Sequence, residues 1–124
     1  MKTPDKYERL GPMPERLDFE SFGTFLMRCR LATKGVTRRT LSQREVGEIV
    51  GVSAALVSRW EADDGLPSED HVAALAPFLG MPVKKLAAML AADRAAARLA
   101  EARAEVERLE KQADAARVGF QRLR

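Results

Sequence analysis

The chain has 124 residues, a net charge of +3 and a hydrophobic fraction of 46%, enough for one modest core and an appendage, since a small domain buries about 60% of its unfolded surface. Nothing in it approaches the ~20 apolar residues that span a bilayer, and the first 17 residues lack an apolar run of signal-peptide length, so a soluble, cytoplasmic protein is expected. The charge is uneven, with +4 over residues 1–40, −5 over 41–81 and +4 over 82–124.

Residues 1–17, with Pro4, Gly11, Pro12 and Pro14, show no sustained period and read as an extended N-terminal arm. Asp18 and Ser21 are candidate caps for a first helix running to about Thr33, with Phe22, Leu26 and Cys29 turned inward. Cys29 is the single cysteine, has no internal disulfide partner, and reads as a small buried hydrophobe. The connection to Ser42 is long and carries Lys34, Arg38 and Arg39, candidates for phosphate contact.

Ser42 followed by Glu45 is a capping box, so a second helix starts near Gln43. Its Val46, Ile49 and Val50 form one apolar stripe, and Gly51 stands where a left-handed residue ends a helix. Ser53 caps a third helix, Ala54 to about Glu61, with Val57, Trp60 and Leu56 inward and Ala54, Ala55, Ser58 and Arg59 on the opposite face. Two helices joined by a short glycine-containing turn are the form that sets a helix into the major groove of DNA.

A fourth helix is expected after Pro67, capped by Ser68, with Glu69 and Asp70 in its first turn, Val72, Leu75, Ala76, Phe78 and Leu79 on its core side, a bend at Pro77 and a stop at Gly80. Pro82 opens a fifth helix that reaches at least Val118, with Gly119 a candidate stop. Along it Leu99, Ala102, Val106, Leu109, Ala113, Ala116, Phe120 and Leu123 alternate steps of three and four, the seam of a short coiled coil. Parallel pairing sets Arg98 against Arg103 and Glu105 against Glu110, whereas antiparallel pairing opposes Arg103 to Glu110, so the charges favour the antiparallel form. The resulting organisation is an arm (1–17), a helical domain (18–86) and a long C-terminal helix (87–124).

The residues that build this pattern resemble the Cro and phage-repressor-like helix-turn-helix regulators, the XRE family. They are Leu26 and Arg30, then Leu41-Ser42-Gln43, Gly51-Val52-Ser53, Val57-Ser58-Arg59-Trp60-Glu61, Pro67-Ser68, Leu79-Gly80-Met81-Pro82 and Val83-Lys84-Lys85-Leu86. The likeness covers roughly Phe22 to Leu86. It implies an all-α fold of five helices and a structural ion pair between Arg30 and Glu61. This chain departs from the family at Gly47, where members usually carry Ala, and at Asp63, where they usually carry Gly. Acidic Asp63 and Asp64 oppose the phosphate contact that the resemblance implies for that loop.

The expected function is therefore sequence-specific binding of double-stranded DNA by a dimeric transcription regulator, a repressor at a palindromic operator. Arg59 and Ser58 would reach bases, with Ala54 and Ala55 against thymine methyls, while Gln43, Arg44, Ser53, Lys34, Arg38 and Arg39 would meet phosphates. Lys2, Lys6 and Arg9 are candidates for a minor-groove contact from the arm. No nucleophile elbow, phosphate loop, paired acid and base, or ligand cluster around His71 is visible, so neither an enzyme, a cofactor nor a metal is expected. The acidic centre keeps a rival open, a protein-interaction module such as an antitoxin or phage adaptor whose long helix binds a partner.

Overall fold

The computed structural model describes residues 7–36 and 38–122, with side chains through residue 119. Among these residues the elements run β1 (Tyr7–Arg9), α1 (Phe22–Leu31), β2 (Thr33–Gly35), α2 (Gln43–Val50), α3 (Ala54–Glu61), α4 (Glu69–Phe78) and α5 (Val83–Arg122). The class is all-α, five helices with the last one long, joined by a small two-stranded ribbon. Contacts divide the chain into two units, Met1–Leu90 and Ala91–Arg124.

In the first unit the apolar stripes of the helices close on one core. Phe22, Phe25, Leu26 and Cys29 of α1 meet Val46 of α2, Val57 and Trp60 of α3, Leu75 and Phe78 of α4, and Leu86 and Leu90 from the start of α5, all buried. Each such side chain contributes about 1.5–3 kcal/mol when fully withdrawn from water. The caps follow the sequence closely. Ser21 accepts from the Thr24 amide, Ser42 and Glu45 form the reciprocal capping box, and Ser53 accepts from the Leu56 amide. Ser68 occupies the cap position of α4, but its hydroxyl lies 3.1 Å from His71 Nδ1 and makes no bond to the helix amides.

Three helices stop in the same way. The Val52 amide reaches back to the Gly47 carbonyl, the Asp64 amide to Arg59 and the Met81 amide to Ala76, with Gly51, Asp63 and Gly80 in the left-handed region between them. Asp63 thus fills a position that favours glycine, at φ 58°. Its carboxylate accepts from the Gly23 amide at 2.9 Å, satisfying an otherwise open donor in the first turn of α1. Pro77 falls near the end of α4, which continues through it to Phe78 before Gly80 turns the chain.

The arm expected over residues 1–17 is not simply extended. β1 pairs antiparallel with β2, setting Tyr7 opposite Gly35, Glu8 opposite Lys34 and Arg9 opposite Thr33. Tyr7 is buried edge-on against Phe78, and the Arg9 guanidinium lies 4.8 Å from the centre of the Phe78 ring. Arg9 also donates to the Cys29 carbonyl and to the Thr33 hydroxyl. Burial lowers its pKa from the ordinary arginine value. α1 therefore ends at Leu31 rather than Thr33, because Thr33 turns extended to pair with Arg9 while its hydroxyl closes the Cys29 carbonyl at 2.7 Å. A further bridge joins Lys34 to Thr40, and the Leu41 amide bonds the Thr33 carbonyl, so that residues 33–36 and 38–41 form the two arms of a short hairpin.

In the second unit α5 runs unbroken past Gly119. Leu99, Val106 and Leu109 are about half exposed, at 52%, 53% and 50%, and Ala102, Ala113 and Ala116 are exposed with them. The Phe120 side chain and Leu123, the last positions of the expected seam, lie outside the described residues, as do Lys2 and Lys6.

Candidate nucleic-acid interface

α2 and α3 approach closely because residue 47 has no side chain. A Cβ there would stand 2.5 Å from the Val52 carbonyl oxygen. Beyond that contact Val57 and Trp60 bury the inner face of α3, and Trp60 meets the His71 ring edge-on at 5.4 Å. The outer face carries Ala55, Ser58 and Arg59 exposed, with Ala54 half-buried. The helix is thus fixed from behind and open in front.

The end of α3 is held by a partly buried ion pair. Arg30 donates to both oxygens of Glu61 at 2.7 and 2.9 Å, and to the Leu41 carbonyl at 3.0 Å. The Gln43 amide adds a bond to Glu61 at 3.2 Å. This is the pair that the resemblance implied, and it ties α1, α2 and α3 together at one point. Gln43, a candidate phosphate contact, therefore has its side-chain amide directed to Glu61.

The remaining candidates divide by what already engages them. Arg59 is 62% exposed, with Nε 3.5 Å from Asp64. Arg44 is 83% exposed and lies 3.6 Å from Glu48. The Ser53 hydroxyl serves as the α3 cap. Lys34 is half-buried in β2, while Arg38 and Arg39 are exposed on the hairpin, and no ion pair engages either arginine among the described residues. Arg9, a candidate for minor-groove contact, is instead held on Phe78 and Thr33. Its apolar neighbour Tyr7 was the available sign that this part of the arm is docked.

A family model described as a helix-turn-helix domain matches residues 21–89. The chain belongs to that family. Helix-turn-helix domains of this kind are DNA-binding regulatory modules, and the match spans the whole run from the α1 cap into the first turns of α5. No curated protein and no solved structure matches the chain. Among the described residues no helix is long and apolar enough to cross a membrane, and no group of His, Cys, Asp and Glu is arranged to hold a metal ion.

Proposed function

We propose that the protein is a transcription regulator of the Cro and phage-repressor type, a repressor that binds a palindromic operator as a homodimer. The observation that carries this reading is the outer face of α3, where Ser58 and Arg59 stand exposed on a helix whose other side is locked by Val57 and Trp60. Arg59 can bond a guanine through two acceptors, Ser58 can reach a neighbouring base, and Ala54 and Ala55 allow close approach or contact with thymine methyls. Arg44, Ser53 and the hairpin cations Lys34, Arg38 and Arg39 would hold phosphates, and Gln43 would join them by leaving Glu61.

The half-exposed seam of α5 supports pairing of two chains. Glu105 is already engaged by Arg108 within its own helix, whereas no ion pair engages Arg103 or Glu110 among the described residues. That favours an antiparallel register setting Arg103 against Glu110 of the second copy.

A mobility shift of the full chain on DNA from upstream of its own gene, titrated with salt and repeated with Arg59→Ala, tests the reading. A competitor-resistant complex that Arg59→Ala weakens, by about 1–3 kcal/mol at one base pair, is the expected result. The rival is a protein-interaction module whose helix-turn-helix serves as a scaffold. The −5 charge of residues 41–81 and the Arg59–Asp64 contact favour it. It predicts no competitor-resistant complex, function intact in Arg59→Ala, and loss on substituting Val106 and Leu109.

A further inference from the structure

The hairpin whose arms are residues 33–36 and 38–41 combines three features that the helix-turn-helix alone does not use. Of the arginines in residues 7–90, Arg9 lies on aromatic rings, Arg16 donates to the Glu20 carbonyl, and Arg28, Arg30, Arg44 and Arg59 each face a carboxylate. Arg38 and Arg39 are the two without such a partner among the described residues. Beside them Val36 is 74% exposed, an apolar side chain offered to solvent at the hairpin tip. Arg38 itself sits at φ 63°, a left-handed position where glycine is at ease and an arginine is not. Its amide closes the turn onto the Gly35 carbonyl at 3.0 Å, and the Gly35 amide bonds the Arg39 carbonyl at 2.9 Å.

The hairpin is anchored where it matters for DNA. Its second arm ends at Leu41, whose amide bonds the Thr33 carbonyl and whose own carbonyl receives Arg30. Its first arm presses on the opening turn of α2, since a Cβ on Gly35 would stand 2.6 Å from Glu45 Oε2. In a helix-turn-helix complex the helix preceding the recognition helix crosses the sugar-phosphate backbone at the groove edge. In that docking, a projection rooted at its first turn would lie beside the groove edge.

We infer that this hairpin is a wing that enters the minor groove flanking each half-site, with Arg38 and Arg39 in the groove and Val36 against its wall, and that it prefers A/T-rich flanks. The inference rests on the DNA-binding reading above and refines it, moving Arg38 and Arg39 from the phosphates into the adjoining minor groove. A narrow A/T minor groove concentrates negative potential and attracts inserted arginines, and apolar side chains commonly accompany them. The wing also supplies the cations that the acidic centre of the domain lacks.

The test uses the full chain to select DNA from a random duplex pool, followed by hydroxyl-radical footprinting of the selected sites. Wild type is expected to select A/T-rich flanks and to protect the flanking minor groove. The Arg38→Gly/Arg39→Ala double variant should lose both, while the core sequence stays the same. Because glycine suits the backbone at residue 38, that variant should melt no lower than wild type, which separates loss of contact from loss of fold. With two fewer cations, its affinity should fall about tenfold less than that of wild type between 50 and 200 mM salt. Retained flank protection, or an equal loss of affinity on all flanking sequences, would overturn the minor-groove assignment while leaving the DNA-binding reading intact. Failure of wild type to select any sequence would overturn both.

Discussion

Gly47 and Val52 meet backbone to backbone, so closely that a Cβ on residue 47 would lie 2.5 Å from the Val52 carbonyl oxygen, with Ser53 and Ala54 backbone atoms at 3.3 and 3.4 Å. The obstruction is main chain and cannot swing aside. Alanine is favoured over glycine in a helix by about 1 kcal/mol, yet here it would force α2 and α3 apart. We expect Gly47→Ala to lower stability by about 1–3 kcal/mol net, measured by thermal unfolding. An unchanged midpoint would show that the turn yields more easily than this packing implies.

Arg59 and Asp64 form an exposed contact that competes with any base or phosphate for the same guanidinium. Exposed pairs contribute at most about 1 kcal/mol to folding. Asp64→Asn is therefore expected to leave the melting temperature nearly unchanged and to tighten DNA binding severalfold in a mobility shift. Weaker binding would mean instead that Asp64 orients Arg59 toward its base.

Burial pushes the Cys29 thiol up to about 11, from an ordinary value of 9.0. Between those values the unfolded chain has released its thiol proton while the folded chain retains it. The stabilising effect is complete below pH 9 and is lost as pH rises toward 11. Urea midpoints of wild type and Cys29→Ala should differ most near pH 7 and converge above pH 9. A constant gap across that range would contradict the assignment.

For the α5 seam, Leu109→Asp is expected to abolish pairing in sedimentation equilibrium while residues 1–90 keep their melting transition. Glu110→Arg should weaken an antiparallel pair, and Arg103→Glu in the same chain should restore it. Restoration would not be expected from a parallel pair, in which these two positions do not face each other.

The helices were legible in the sequence because their signals are local. Ser42 with Glu45, Ser53 and Gly51 mark boundaries that appear where they were expected, and the Arg30–Glu61 pair followed from the family likeness. The ribbon was not legible, since three-residue strands owe their existence to a partner 24 to 28 residues away and leave almost no periodicity behind. Arg9 read as a candidate for a minor-groove contact because its ring, Phe78, is distant in sequence. Asp63 looked like a liability in a loop expected to meet phosphate, and only its bond to Gly23 reveals what its carboxylate does.

That bond limits how this protein can change. Replacing Asp63 with glycine would relax the backbone and remove a negative charge beside the candidate recognition helix, both apparent gains for a DNA binder. It would also release the Gly23 amide and loosen α1 from the end of α3. A change that alters affinity therefore costs less fold stability on the outer face of α3 or at the hairpin tip, where side chains can be exchanged without disturbing a cap.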